Sequence, residues 1–169
     1  LSAGELRDSK MFNEIDDIIW KGGFPETWAH EGIKISQFFD DYIQTYIERD
    51  LRILINVNDL RDFQQFIKLC TLRAGQLVNY AGIAKDIGVS PNTIKSWINI
   101  LETSGLVVLL EPFYSNLNKR IIKAPKLYFT DQGLLCSLFN IRNKEDLINH
   151  IYEGAIWENF VFTELIKMP

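Results

Sequence analysis

The fold of this chain is decided by one stretch, Tyr80-Ala-Gly-Ile-Ala-Lys-Asp-Ile-Gly-Val-Ser-Pro-Asn-Thr-Ile-Lys-Ser-Trp-Ile-Asn-Ile-Leu-Glu102. Gly88 can adopt the left-handed conformation that a tight turn between two helices needs. Ser90 is a preferred N-cap, and Pro91 suits the first position of a second helix because its missing N–H is not needed there. The stretch predicts a helix-turn-helix, a motif that places its second helix in a DNA groove in many proteins and serves as scaffold in others.

The second predicted helix has two chemically different sides. Its apolar residues recur at helical spacing and predict a buried stripe, namely Ile94, Trp97, Ile98 and Leu101. Asparagine can pair with adenine edges, and serine and threonine can contact bases or phosphates. The candidate DNA contacts on the other side are therefore Pro91, Asn92, Thr93, Lys95, Ser96 and Asn99. The alternative is a solvated or covered scaffold, because Lys95 is the single cation of this helix.

A β-hairpin is predicted after the two helices. The apolar run at 106–110 and the run at 119–130 have strand composition, with turn residues between them. A helix-turn-helix followed by a hairpin is a winged helix. The helix predicted at 60–73 is the first helix of this winged helix. The cations of the predicted hairpin can contact phosphates or lie on both sides of a minor groove. Alternatively, they can prevent a solvated sheet edge from pairing with other chains. These cations are Lys119, Arg120, Lys123 and Lys126.

The remaining sequence predicts more helices, so the fold class is mainly α. Apolar periodicity predicts helices at 11–20, 35–55 and 150–167, of which the second is the longest. Gly22-Gly23-Phe24-Pro25 interrupts the pattern, and Pro25 can open a short helix. The predicted organisation is a helical N-terminal segment at 1–57, a winged helix at 58–130 and C-terminal helices at 131–169.

The charge of the chain is unevenly distributed. The formal net charge is -4 and the pI is about 5.2, which argues against a dedicated nucleic-acid binder on bulk charge. From 59 to 126, however, nine Lys and Arg residues face five acids, a balance of +4, so the remainder carries -8. The predicted winged helix is the basic part of an acidic chain, as expected of a module that faces a DNA groove.

Other residue types argue against several classes of site. Cys70 and Cys136 each lie in an apolar run, which predicts buried free thiols rather than a disulfide. His30 and His150 have no further ligand at metal-binding spacing, so no metal site is predicted. No run reaches membrane-spanning length and no signal-peptide pattern opens the chain, so no membrane partner and a cytoplasmic location are expected.

Several motifs resemble those of a known family. The chain resembles the C-terminal half of a widespread group of predicted prokaryotic AAA-type ATPases, in which a P-loop module precedes a domain of unknown function. The resemblance implies that ATP and Mg²⁺ bind to a module before residue 1, and that both ends are cut from a longer protein. The matching motifs are Gly22-Gly-Phe-Pro-Glu, Tyr46-Ile-Glu-Arg-Asp-Leu-Arg, Gly75-Gln-Leu-Val-Asn, Gly88-Val-Ser-Pro-Asn-Thr-Ile-Lys-Ser-Trp, Leu101-Glu-Thr-Ser-Gly-Leu-Val, Asn118-Lys-Arg, Lys123-Ala-Pro-Lys-Leu-Tyr-Phe-Thr-Asp-Gln-Gly-Leu and Trp157-Glu-Asn-Phe-Val.

The resemblance implies that this region is non-catalytic by itself. None of its ten glycines is followed by lysine, so the P-loop is missing and neither a catalytic residue nor a cofactor is expected in this chain. Glu48 and Arg52 can form an i,i+4 surface pair, or Arg49 or Arg52 can reach a nucleotide in the ATPase module and couple hydrolysis to this region.

Two functions are therefore expected as alternatives. One is duplex-DNA binding coupled to nucleotide state through a hinge at Gly22 and Gly23 and the long helix. The other is a protein-interaction or oligomerisation module, in which the winged helix is scaffold and the partners are the chain's own ATPase module and sibling subunits.

Overall fold

The computed structural model of the chain describes residues 1–8, 14–29, 32–55, 59–113 and 124–168. Within these ranges the chain is mainly helical with one two-stranded sheet, which confirms the predicted mainly α class. It forms two compact units, Leu1–Thr45 with Phe129–Pro169, and Tyr46–Tyr128. The elements in chain order are α1 (Ala3–Asp8), α2 (Ile15–Lys21), α3 (Glu26–Ala29), α4 (Ile35–Tyr42), a π-helical segment (Ile43–Leu51), α5 (Arg52–Ile55), α6 (Leu60–Thr71), α7 (Tyr80–Ile87), α8 (Pro91–Thr103), β1 (Val107–Leu110), β2 (Lys126–Phe129), α9 (Gln132–Leu138) and α10 (Glu153–Ile166).

The first unit is built around α9. Every residue from Gln132 to Ser137 is buried, and α2, α4 and α10 pack against this helix. Gly133 permits the close approach of α4, because a Cβ at this position would lie 2.5 Å from Cζ of Phe39. Both ends of the chain therefore contribute helices to one core.

An aromatic cluster adds to that core. The ring of Phe24 lies 5.6 Å from that of Phe38, 6.0 Å from that of Phe39 and 5.1 Å from that of Tyr42, measured between centroids. Edge and tilted contacts of this kind are favourable beyond the area they bury. They hold the segment before α3 against α4.

The predicted helix at 35–55 is helical throughout, but its middle is π-helical rather than α-helical. On an α-helix a step of four residues advances about 400°, so a stripe with this period rotates by about 40° at each step. The i→i+5 bonding of a π-helix widens the turn and reduces this rotation. The apolar residues that recur every four positions are Ile35, Phe39, Ile43, Ile47, Leu51 and Ile55.

The second unit has its core between α6, α7 and α8. Asp59 caps the start of α6, where its side chain accepts a hydrogen bond of 2.8 Å from the Arg61 N–H. Phe63 and Phe66 are fully buried on α6, and the Phe66 ring meets that of Trp97 at 5.2 Å and 70°. The predicted inward stripe of α8 thus packs against α6.

The segment between α6 and α7 pairs with β2 through isolated bridges, Ala74 with Leu127 and Leu77 with Lys126. The Gly75 N–H donates to the Leu127 carbonyl at 2.8 Å, and the Leu127 N–H donates to the Gln76 carbonyl at 3.1 Å. The Val78 N–H donates to the Pro125 carbonyl at 2.9 Å. These bridges between residues 74–78 and β2 were not predicted from the sequence.

Candidate nucleic-acid interface

The turn between α7 and α8 has the predicted geometry. The Asn79 side chain caps α7 by accepting a hydrogen bond of 2.9 Å from the Gly82 N–H. Gly88 ends α7 with φ +87° and ψ +27°, which is the left-handed conformation, and its N–H donates to the Ala84 carbonyl at 2.8 Å. Ala84 is buried, as expected of a small residue at a close helix contact.

The start and the inner side of α8 are also as predicted. The Ser90 hydroxyl accepts a hydrogen bond of 3.1 Å from the Thr93 N–H, and Pro91 occupies the first turn. The four residues of the predicted stripe are all buried: Ile94, Trp97, Ile98 and Leu101. With this stripe fixed inward, helical periodicity fixes which side chains face outward.

The outer side of α8 carries most of the candidate DNA contacts together. Asn92, Lys95, Ser96 and Asn99 are all exposed, as is Pro91. Within the described residues, none of these four polar side chains takes part in a hydrogen bond or ion pair. These groups are therefore available to a ligand.

Thr93 differs from the other candidates on α8. It is half-buried, and its hydroxyl lies 2.8 Å from the Ser90 hydroxyl in a hydrogen bond. Its backbone N–H is the one that Ser90 caps. The hydroxyl and the N–H of Thr93 thus both contact Ser90 at the start of the helix, and its role as a DNA contact stays a prediction.

The end of α8 is acidic and faces the sheet. A carboxylate oxygen of Glu102 accepts a hydrogen bond of 3.2 Å from the Leu109 N–H. Burial raises the pKa of Tyr80, and the negative charges of Glu111 and Glu102 raise it further, so the three groups share one neighbourhood. On α8, the surface without acidic groups is therefore limited to the turns before Glu102.

The predicted wing falls mostly outside the described residues. Lys119, Arg120 and Lys123 lie there, and their role as phosphate contacts stays a prediction. Lys126 is half-buried at the start of β2, beside the extended segment that contains Leu77.

The predicted pair between Glu48 and Arg52 is replaced by other contacts. Glu48 accepts a hydrogen bond of 2.8 Å from Nε2 of Gln64, and Nε of Arg49 lies 2.8 Å from a carboxylate oxygen of Asp50. These residues lie in or beside the π-helical segment, where side chains four positions apart no longer meet as they do on an α-helix. Arg49 is exposed and Arg52 is half-buried.

A buried carboxyl group in the first unit was not predicted as important. The Asp131 side chain accepts hydrogen bonds from the Gly23 N–H at 2.7 Å and from the Leu134 N–H at 2.9 Å. A Cβ at Gly22 would collide with this carboxylate. The two glycines predicted as a hinge lie against the start of α9, and burial raises the pKa of Asp131 despite its two N–H donors.

A second polar contact attaches α10 to the end of β2. The fully buried Asn159 accepts a hydrogen bond of 2.8 Å from the Phe129 N–H and donates one of 2.9 Å to the Phe129 carbonyl. Nε2 of the buried Gln132 donates to the Thr163 hydroxyl of the same helix. These contacts give the sequence motifs around residues 131 and 159 a structural role.

Comparison with protein families identifies one match. The family described as a domain of unknown function, DUF8612, matches residues 12–145, which include the helix-turn-helix and most of the chain. The chain belongs to the DUF8612 family. Its description states no activity, ligand or partner for this DUF8612 domain.

Two mycobacterial proteins are similar to this DUF8612 domain. The uncharacterized protein Rv2008c of Mycobacterium tuberculosis and the uncharacterized protein Mb2031c of Mycobacterium bovis are each 30% identical to it over 154 residues. The matches cover 90% of this chain and 35% of each relative, so the chain spans about a third of the length of the relatives it matches. No solved structure matches it.

The described part of the DUF8612 domain also bears on the other predicted sites. Both cysteines are free and buried as predicted, and burial raises the pKa of the Cys70 thiol to about 12 and that of Cys136 still higher. Among the described residues, no group of histidine, cysteine and carboxylate side chains is suited to hold a metal ion. None of the described helices has the length and apolar character needed to cross a membrane.

Proposed function

We propose that α6, α7, α8 and the following hairpin form a winged helix that binds duplex DNA with α8 in the major groove. The observation that carries the proposal is the division of α8, with its apolar side buried and four unbonded polar side chains on its outer side. Positions 91–101 of this helix contain Lys95 and no acid, so this part of the helix does not repel a polyanion. That composition suits contact with a polyanion.

The pairing around β2 supports the winged-helix part of the proposal. A three-helix motif followed by a hairpin, with an extra extended segment after the first helix, is the arrangement of a winged helix. The segment at Gly75–Val78 lies in this position and is hydrogen-bonded to β2. The hairpin thereby extends from a supported sheet, so a wing at its tip has a rigid base.

The charges give the proposal a quantitative form. Each phosphate contact made by a cation contributes about -0.9 to the slope of log K against log salt concentration. Lys95 with Lys119, Arg120 and Lys123 would give a slope of about -3.6 if all four contact phosphates. A fourfold rise in salt would then weaken binding about 150-fold.

The experiment is fluorescence anisotropy with a random-sequence duplex between 50 and 200 mM salt, on the order of the range where counterion release is measurable. We expect salt-sensitive binding, a slope reduced by about 0.9 in Lys95→Ala, and one reduced by about 2.7 in the triple Ala variant of Lys119, Arg120 and Lys123. Lys68→Ala is the matched control, because Lys68 is an exposed cation on α6. Absence of binding at low salt, or an equal loss in the Lys68→Ala control, would overturn the proposal.

The larger protein in this proposal is an AAA-type ATPase. The chain spans about a third of its relatives, which leaves room for a P-loop module elsewhere, and the sequence motifs above support that assignment. ATP and Mg²⁺ bind to that module, and this region is itself non-catalytic. Coupling through Arg49 or Arg52 predicts that Ala variants of either lower DNA-stimulated ATP hydrolysis by the full-length protein, whereas Arg61→Ala, at an exposed site on α6, leaves it unchanged.

A second candidate function is a protein-interaction module. It is favoured by apolar side chains around the sheet, where Leu77 is 58% exposed and Leu110 is 44% exposed. An apolar interface is insensitive to ionic strength, whereas phosphate contacts are not. Light scattering after size exclusion at low and high salt separates the two, since a salt-independent oligomer disrupted by Leu77→Ser supports this alternative.

A further inference from the structure

Two asparagine side chains stand on the outer side of α8 at positions suited to base edges. Asn92 lies in the first turn and Asn99 lies two turns later, so they are about 10 Å apart along the helix axis. Both are exposed, and neither side-chain amide is hydrogen-bonded to any residue in the described ranges. Thr93, by contrast, is occupied by the Ser90 cap. The two amides are the side chains of this surface that offer both a donor and an acceptor of an amide and have no hydrogen-bond partner among the described residues.

The chemistry of an amide selects among the four bases. An asparagine side chain offers one acceptor and an NH₂ donor, which match the N6 amino group and the N7 atom of adenine in the major groove. Guanine offers two acceptors there, which suit arginine or lysine. Since Lys95 is the single cation of α8 and the Glu102 carboxylate is bonded to the Leu109 N–H, amide chemistry dominates this face.

We propose that α8 recognises A·T base pairs in the major groove, with Asn92 and Asn99 each contacting an adenine. This inference rests on the proposed DNA-binding function and specifies its ligand. A separation of about 10 Å corresponds to about three base-pair steps of 3.4 Å, so the two adenines lie about three steps apart. The two base pairs between them lie beside Lys95 and Ser96.

The test begins with selection of bound sequences from a random duplex pool by this chain at low salt. We expect enrichment of A·T pairs at two positions about three steps apart. At each enriched position the adenine is then replaced by 7-deazaadenine, which lacks the N7 acceptor but keeps Watson–Crick pairing. Binding should weaken by at least about fivefold at the position that each asparagine contacts.

The variants identify which side chain makes each contact. Asn99→Ala should weaken binding to the selected duplex by at least about fivefold, and 7-deazaadenine at its partner position should then cause no further loss. Asn92→Ala should do the same at the other position, which gives a second test if one variant does not fold. Gln64→Ala is the matched control, because it removes an exposed amide from α6.

The possible results separate this inference from the function on which it rests. Binding without an adenine preference, or with losses in Asn92→Ala and Asn99→Ala that are equal on every sequence, overturns the inference and leaves DNA binding intact. Absence of binding to any duplex at low salt overturns both. An adenine preference that persists unchanged in both variants places the recognition elsewhere and also overturns it.

Discussion

Replacement of Asn159 by alanine should strongly destabilise the first unit. Asn159 is fully buried and forms two hydrogen bonds with one residue, accepting from the Phe129 N–H at 2.8 Å and donating to the Phe129 carbonyl at 2.9 Å. Alanine removes both partners and leaves two buried backbone groups without them. The contact attaches α10 to the end of β2, so the loss falls on the core of the unit.

The magnitude follows from the two groups that lose their partners. A buried donor or acceptor left unsatisfied costs about 1–3 kcal/mol, so Asn159→Ala should lower the free energy of unfolding by about 2–6 kcal/mol. A typical domain has about 5–15 kcal/mol in total. The variant should therefore lose a large part of its stability and still be measurable at low temperature.

Urea unfolding followed by circular dichroism and by tryptophan fluorescence is the assay. Asn99→Ala is the matched control, because it removes the same side chain from an exposed position, and it should change stability by less than about 0.5 kcal/mol. A loss below about 1 kcal/mol in Asn159→Ala would refute the reasoning, since it would mean that the Phe129 groups find other partners. An equal loss in both variants would show that burial is not the cause.

Three further predictions concern the glycine junction, its carboxyl group and the thiols. Gly22→Ala should lower Tm more than Gly32→Ala, since both glycines have positive φ (72° and 111°) but only the new Cβ at position 22 meets the Asp131 carboxylate. Because burial holds the pKa of Asp131 above its unfolded value, this group stabilises the fold most below about pH 4 and less as pH rises through the raised pKa. Urea titrations should therefore show the stability of the native chain relative to Asp131→Asn falling as the pH rises above about 4, and a constant difference would contradict this. Cys70, whose pKa burial raises to about 12, and Cys136 should react with a thiol reagent at pH 8 only after denaturant is added, and rapid native labelling would contradict their burial.

The helix-turn-helix could be predicted because its signals are local. Ser90, Pro91 and Gly88 act through their own backbone preferences, so no distant partner is needed to identify the turn and the cap. The periodicity of Ile94 and Leu101 then fixes the inner side of α8, and the outer side follows from it. The candidate residues Asn92, Lys95, Ser96 and Asn99 came together for this reason.

The parts that were missed depend on distant partners. The bridges that residues 74–78 make to β2, about fifty residues later, depend on that distant partner, and a short run with a glycine gives no strand signal alone. The π-helical turn at Ile43–Leu51 had a signal in the strict four-residue apolar repeat, which an α-helix cannot keep on one side. Of the two alternatives for this region, the surface pair between Glu48 and Arg52 is therefore not formed among the described residues.

The motifs that carry the resemblance divide into two groups with different meanings. Those around Gly22, Asp131 and Asn159 are explained by packing. Asp131 accepts a hydrogen bond from the backbone of the Gly22 motif, Asn159 accepts one from the backbone of the Asp131 motif, and the glycines allow close approach. These motifs indicate that the chain shares a core with the proteins it resembles, and they carry no information about the binding of ATP or DNA. The outer side chains of α8, in contrast, make no contact in the described structure that would require asparagine at positions 92 and 99. The functional proposals therefore depend on α8, where substitution should change binding without changing the fold.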